Sequence, residues 1–398
     1  MPAETVDATA RTSAARKRSG LVVRAVQRWE SALLVLLIGT IIFGAVSSPH
    51  FLTTTDLFYI GLNVGEIAIM ALPLTLIIIT GEIDLSVASM LGLSSSLLGF
   101  LFMHGWGIWP AMFAVLVVGA VGGALNGVLV TRLGLPSIAV TIGTLTLFRG
   151  LAEIILKANS VGGYPASLTK IGIVPIPHTQ IAWSVGIFLV LALIYAVVLH
   201  GTPVGRSIFA IGLQEETAFF SGIRVKRIKF LLYVLSGTVC GFAGILWTFR
   251  FATSRFDAGT GLELNVVAIA LLGGVSIFGG RGSILGVVLA ASVLACFLEA
   301  LTLINVSAQI QNIVTGALLL VSVIVPNSAD NVRRLRAWLA RRRGGSAATP
   351  PTAGVVPIIP TAATTLADTA TVRTGQGLDH RSAGGNQGGG GGTADSGD

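Results

Sequence analysis

Apolar runs of about twenty residues recur through most of this chain, and they constrain its fold more than any other feature. A bilayer core about 30 Å thick is crossed by about 20 predominantly apolar residues in an α-helix. Because the runs are continuous and do not alternate in short segments, they predict helices rather than strands. The sequence therefore predicts an all-α fold, a polytopic membrane helix bundle of about ten transmembrane helices. The ten candidate spans are residues 31–48, 58–80, 85–103, 109–130, 138–156, 181–199, 230–249, 264–277, 284–304 and 310–325.

Charge predicts how these helices are oriented. Only 11% of the residues are charged, against about 25% in an ordinary soluble domain, and basic residues cluster before the first span, after the last, and in residues 200–229. The positive-inside rule places these three segments, and so both termini, in the cytoplasm of a cell-membrane protein, which requires an even number of spans. The net charge of +8 thus reflects topology. No nucleic-acid partner is expected, because no basic face interleaved with aromatic residues accompanies the clusters.

Composition divides the chain into four parts. Residues 1–29 form a basic cytoplasmic tail that is expected to be disordered, and residues 30–326 form the transmembrane domain with its loop 200–229. A basic juxtamembrane segment, 327–343, follows. Residues 344–398 are rich in Gly, Ala, Thr and Pro, a composition that cannot bury a core and that predicts a disordered tail.

Two carboxylates, Glu82 and Asp84, interrupt an otherwise apolar stretch. Residues 81–86 are expected to form a tight reversal or helix break, whose freed backbone groups need polar partners near the membrane. Two interpretations stay open. Asp84 is the N-cap of the next helix with Ser86 in its first turn, or Glu82, Asp84 and Ser86 line the translocation path or its gate. Pro73 favours a broken helix, as in transporters.

A short helix is predicted at residues 214–220. Its acidic start at Glu215 and Glu216 and its stop before Gly222 match the polarity of a helix. The segment is either a docking element for a soluble partner or an interfacial turn with snorkelling basic residues, and the residues alone favour neither.

Glycines at every fourth position predict close helix packing. Gly119, Gly123 and Gly127 share one helix face, as do Gly237 and Gly241, so a neighbouring backbone can approach each face. The alternative is that these glycines only reflect how common glycine is in membrane helices.

Three segments carry a resemblance to a known family. "GEIDLSVAS", residues 81–89, is similar to the signature Gly-Gly-Ile-Asp-Leu-Ser-Val-Gly-Ser, with Glu82 in place of the second glycine. "GRSIFAIGLQEETAFFSGIRVKRIK" and "LNVVAIALLGGVSIFGGRGSILGVVLA" resemble the cytoplasmic loop and the late Gly-rich segment of the same proteins, with Asn265 where Asp is common. These proteins are the permeases of ABC importers of the ribose, xylose, rhamnose and autoinducer-2 type. The resemblance covers about residues 30–340 and looks closest to the rhamnose and autoinducer-2 permeases.

The resemblance implies a function and a set of partners. The chain would be the transmembrane permease subunit of an ATP-driven importer of a sugar or sugar-like small molecule, such as rhamnose, autoinducer-2 or a related pentose or hexose. It would work with an ATP-binding cassette ATPase subunit, a second permease in a homo- or heterodimer, an extracellular or periplasmic sugar-binding protein, and membrane lipid. The chain lacks a G-x-x-x-x-G-K-[ST] phosphate loop, so ATP hydrolysis would belong to the separate subunit, and no enzyme activity, cofactor or metal is expected.

The resemblance also implies roles for the two polar segments. Residues 214–220 would be the coupling helix that seats in the ATPase subunit, while Glu82, Asp84 and Ser86 remain candidates for the path or gate. The candidate ATPase contacts are Glu215, Glu216, Ala218, Phe219, Phe220 and Gly222.

Two other classes of protein are less consistent with this sequence than the importer. An ion-coupled secondary transporter would use Glu82 or Asp84 as a proton or sodium site, but no matching acidic break occurs in the second half, where Glu299 stands alone in its span. An intramembrane enzyme lacks support because the chain contains neither H-E-x-x-H nor G-x-S-x-G.

Overall fold

The structure is a computed structural model that describes residues 29–324. Within that range the chain forms thirteen α-helices and no strand, which confirms the predicted all-α class. The predicted tails at 1–29, 327–343 and 344–398 lie outside the described residues, apart from residue 29. The helices are α1 (Trp29–Ser47), α2 (Thr54–Ile79), α3 (Val87–Met103), α4 (Ile108–Thr131), α5 (Ser137–Leu156), α6 (Ala166–Ile173), α7 (Trp183–Ala196), α8 (Pro203–Leu213), α9 (Glu215–Phe220), α10 (Val225–Phe251), α11 (Leu262–Leu272), α12 (Ile284–Leu303) and α13 (Ala308–Ile324).

Seven helices of the described range are long and apolar enough to cross a membrane. They are α1, α2, α4, α5, α7 with its extension to Gly201, α10 and α12. The other three predicted spans coincide with the apolar but shorter helices α3, α11 and α13. Helices therefore occupy all ten predicted positions, and length and composition support seven of them as membrane crossings. Large apolar side chains such as Phe113 and Ile154 are exposed on these helices, as expected of a surface that faces lipid.

Helix α2 is the centre of the bundle. Its residues 64–79 are all buried, because α7, α10, α11 and α12 pack around it. A helix that is apolar on every side is stable only where neighbours cover it on every side. The expected break at Pro73 is wrong: α2 continues through this residue to Ile79. Proline removes one helix hydrogen bond, and the packing around Pro73 holds the helix together despite that loss.

The predicted close packing of glycine faces is confirmed between α4 and α10. A Cβ atom added to Gly123 would lie 2.2 Å from the carbonyl oxygen of Tyr233, and one added to Gly237 would lie 2.2 Å from the carbonyl oxygen of Gly119. Only glycine leaves room for backbones at this separation. The two helices consequently form one tightly packed pair that fixes the position of α10.

Three backbone segments meet where α2 ends. The N–H group of Gly280, in the loop between α11 and α12, donates to the carbonyl oxygen of Ile79 at 2.8 Å. Gly212, near the end of α8, lies so close that a Cβ atom there would overlap the same oxygen. Gly81 has φ +84° and reverses the chain immediately after α2. This junction places α8, and α9 after it, directly beside the loop 80–86 that joins α2 to α3.

Candidate functional site

The carboxylate of Asp84 lies at the centre of a buried polar cluster. It is 3% exposed, and its Oδ1 atom accepts hydrogen bonds from the backbone N–H of Ser86 at 3.0 Å and from the Ser86 hydroxyl at 2.6 Å. Its Oδ2 atom accepts from the hydroxyl of Ser236 on α10 at 3.2 Å. The amide of Asn126 on α4 donates to Ser86 Oγ at 2.8 Å. The carboxylate therefore connects the helix break directly to α10 and, through Ser86, to α4.

The helix-cap interpretation of Asp84 does not match this geometry. Helix α3 begins at Val87, and the N-cap position belongs to Ser86, whose carbonyl accepts from the N–H of Met90. Asp84 instead accepts from the residue two positions on, as in an Asx-turn. The carboxylate holds the shape of the loop before the helix, and its second oxygen is committed to a different helix.

Glu82 belongs to a second cluster, an ion-pair triad with Lys229 and Glu215. The Lys229 Nζ atom donates to Glu82 Oε1 at 2.6 Å and to Glu215 Oε2 at 2.7 Å. The Lys229 side chain is 6% exposed, whereas Glu215 is more than half exposed. The two carboxylates neutralise an ammonium group that would be costly to bury alone. The triad thus joins the helix break to the short helix α9.

Helix α9 has a buried side and an exposed side. Ala218 is buried against Ile211 of α8 and Val225 of α10. Phe219 and Phe220 are 62% and 84% exposed, and their rings pack edge to face with centroids 5.6 Å apart. Gly222 adopts φ +83° just after the helix, as its predicted role as a stop requires. The helix therefore presents an aromatic pair on the outside of the molecule.

The structure brings some of the predicted site residues together and leaves others apart. Glu82 and Glu215 meet at Lys229, while Asp84 and Ser86 form the separate buried cluster. Glu216 is exposed and makes no ion pair within the described range. Within residues 29–324 no group of three or more His, Cys, Asp or Glu side chains could hold a metal ion. The two clusters share the loop 80–86, which makes this loop the centre of the site.

Sequence reasoning missed a third polar network near the opposite end of α2. Arg250 on α10 donates to Glu66 at 3.0 Å and to Asn63 at 2.5 Å, and Asn63 donates to Glu299 on α12 at 2.8 Å. Asn63 and Glu66 are three residues apart and so share one face of α2. That spacing, inside a predicted span, was the available signal. Glu66 also lines a small cavity with Trp183 and Ser184.

Comparisons with known proteins agree on one family. The family model described as "Branched-chain amino acid transport system / permease component" matches residues 57–323. The autoinducer 2 import system permease protein LsrD of Photorhabdus temperata is similar to this chain, at 32% identity over 327 residues, covering 79% of this chain and 96% of that protein. The proteins of the same name from Salmonella paratyphi A and Escherichia coli O9:H4 are each 32% identical over 324 residues, with the same coverage. No solved structure matches the chain at a significant level.

Proposed function

Because this chain belongs to the family of permease components just described, it is a transmembrane transport subunit of an ABC importer and not an enzyme, and we propose that it carries autoinducer-2 or a closely related sugar-like molecule. The observation that supports this substrate is the similarity to autoinducer 2 import permeases over 96% of their length. Membership of the family implies an ATPase and a substrate-binding partner. The ion-coupled alternative is not supported.

Uptake by the assembled importer tests the substrate. The chain is to be reconstituted in proteoliposomes with the ATPase subunit and the binding protein encoded beside it, and uptake of autoinducer-2 compared with uptake of rhamnose. We expect ATP-dependent accumulation of autoinducer-2. Accumulation of rhamnose alone would overturn the assignment to autoinducer-2, and accumulation of either sugar without ATP would overturn the importer mechanism.

The proposed mechanism places the coupling element at α9. In an ABC importer the ATPase subunit lies in the cytoplasm and must contact the permease through cytoplasmic surfaces. Helix α9 suits this role because Phe219 and Phe220 are exposed next to each other, a form of aromatic anchor that is typical of interface hot spots. Glu216 lies beside them as a charged flank. Ala218 fixes the helix against α8 and α10, so a force on α9 reaches the membrane domain.

The proposed gate is the loop 80–86 with its buried carboxylate. Asp84 holds Ser86 and Ser236, which belong to the start of α3 and to α10. Three hydrogen bonds converge on this carboxyl group, and each contributes about 0.5–1.5 kcal/mol between neutral groups or about 1.5–3 kcal/mol to an ionised carboxylate. A relative movement of these helices would have to break at least one of them. The carboxylate is therefore suited to hold one conformation of the transporter until ATP binding supplies the energy to change it.

Replacing Asp84 by Asn tests whether the charge matters. Asn has nearly the same shape as Asp, but its side chain has one carbonyl oxygen in place of two carboxylate oxygens. The three groups that donate to Asp84, in Ser86 and Ser236, then no longer all find an acceptor. We expect Asp84→Asn to insert normally and to lower uptake by roughly tenfold, equivalent to about 1.4 kcal/mol. The matched control is Asp257→Asn, the same change at an exposed loop residue. Wild-type uptake by Asp84→Asn would show that the carboxylate serves only as a turn acceptor.

The permease works as one of a pair, either two copies of this chain or two related chains.

The proposed topology has ten spans with both termini in the cytoplasm. Basic residues flanking the apolar region support this orientation through the positive-inside rule. A reporter fused after Arg343 is expected to behave as cytoplasmic. Activity of a reporter that functions only in the periplasm, fused at the same position, would contradict the ten-span topology.

A further inference from the structure

The triad of Glu82, Lys229 and Glu215 connects the two parts of the proposed mechanism. Glu215 opens α9, and Glu82 lies in the loop 80–86, two residues before Asp84. The two carboxylates are 133 residues apart in sequence, yet each lies within 2.7 Å of the same nitrogen atom. The triad therefore provides a direct polar connection between the candidate coupling helix and the candidate gate.

The Glu82 side of this connection is rigid. The backbone N–H of Ile83 donates to Ser137 Oγ on α5 at 3.2 Å, and Thr141 Oγ1 donates to the Ile83 carbonyl at 3.4 Å. Asp84 fixes the following residues to α10. A pull on Glu82 would consequently act on the buried carboxylate and on α5 and α10 as well, because the N–H and the carbonyl of the intervening Ile83 are both hydrogen-bonded to α5.

The Glu215 side of this connection is the part that can move. A helix of six residues is too short to be stable on its own, so α9 keeps its place through Ala218 and through the ion pair of Glu215 with Lys229. Lys229 is the buried member of the triad, and its charge remains favourable only while carboxylates surround it. A displacement of α9 would therefore change the environment of Lys229 and, through it, that of Glu82.

We propose that Lys229 is a positioning residue that transmits displacement of α9 to the loop 80–86. This inference rests on the proposed function, because it takes α9 as the coupling helix. Lys229 acts through the loop and has no role in contacting the ATPase subunit or the substrate.

The experiment compares Lys229→Met with the neutral triple variant Lys229→Met, Glu82→Gln, Glu215→Gln. The importer is reconstituted with its ATPase subunit and binding protein, and uptake of autoinducer-2 and ATP hydrolysis are measured in the same vesicles. The readout is the number of molecules transported per ATP, which simple loss of folded protein does not change. Lys226→Met is the matched control, because Lys226 lies one turn earlier on α10, is exposed and has no ion pair within the described range.

Both test variants are expected to retain the ATPase subunit and to hydrolyse ATP, while transport per ATP falls at least tenfold and Lys226→Met stays at the wild-type ratio. The triple variant leaves no unpaired carboxylate. A fall in transport per ATP in that variant therefore reflects loss of the connection and not the cost of an unpaired buried charge. A wild-type ratio in either variant would overturn the proposal. Loss of ATPase association or of membrane insertion in both test variants would also overturn the proposal, because the triad would then serve docking or folding. The assignment of α9 as the coupling helix is tested separately. It fails if a variant with both Phe219 and Phe220 replaced by alanine retains the ATPase subunit.

Discussion

Replacing Phe219 and Phe220 together by alanine is expected to abolish uptake and to release the ATPase subunit from the permease. The two rings are exposed and pack against each other, so they would enter a pocket of the partner as one unit. Truncating a buried aromatic anchor typically costs at least about 2 kcal/mol, roughly thirtyfold in affinity. Two such truncations would lower ATPase association below what co-purification detects.

The measurement is recovery of the ATPase subunit with tagged permease, together with uptake in the same cells. Phe113→Ala serves as the control, because Phe113 is equally exposed but lies on the transmembrane helix α4. That variant should keep both the ATPase subunit and uptake. Should the double variant copurify with a full complement of ATPase and transport normally, α9 is an interfacial turn and the coupling helix lies elsewhere.

Replacing Gly237 by valine is expected to eliminate folded protein. The new Cβ atom would lie 2.2 Å from the carbonyl oxygen of Gly119 and 2.7 Å from the backbone nitrogen of Gly123. Overpacking normally costs about 1–3 kcal/mol, because side chains can change rotamer to relieve it. Backbone atoms have no such freedom, so α4 and α10 would have to separate along their whole contact. We expect the loss to exceed that range.

The amount of monodisperse protein extracted in detergent measures this effect. Gly143→Val is the matched control: Gly143 lies in the middle of α5, and no atom lies within 4 Å of a Cβ atom added there. Both variants make the same change in intrinsic helix propensity, from glycine to valine, so the difference between them isolates the helix contact. Equal yields of the two variants would show that α4 and α10 tolerate a wider separation.

Hydropathy alone was sufficient to predict the class of fold and the positions of ten apolar helices, because each helix needs its own apolar residues to enter a membrane. It missed the shorter apolar helix α8, which lies inside the predicted loop 200–229. It was less informative where apolar residues are not helical. The predicted span 264–277 covers most of helix α11, which ends at Leu272, and continues through Val275 and Ile277 in a glycine-rich loop. Hydropathy scores a residue's side chain and carries no information on its backbone conformation, so the two segments could not be distinguished.

The candidate site was predictable only in part, because its partners come from distant segments. Glu82 and Asp84 stand out in their apolar surroundings, and the charge pattern predicts α9. The partners Lys229 and Ser236 give no such signal. Lys229 belongs to the basic stretch that is predicted as a cytoplasmic loop, yet it lies in the second turn of α10 and is buried. Arg250 lies one residue beyond the predicted span 230–249 and belongs to the last turn of the same helix.

The length of α10 gives it the properties of a lever. Its first turns hold Lys229 in the triad, its middle packs against α4, and its last turn holds Arg250 against Glu66. At about 1.5 Å per residue, Lys229 and Arg250 are separated by about 30 Å along one helix. Because α4 holds the middle of the helix, a tilt of about 5° about that contact would move each end by about 1–2 Å, less than the length of a hydrogen bond. A small angular change beside α9 would thus move both charged ends of α10 at once and in opposite directions.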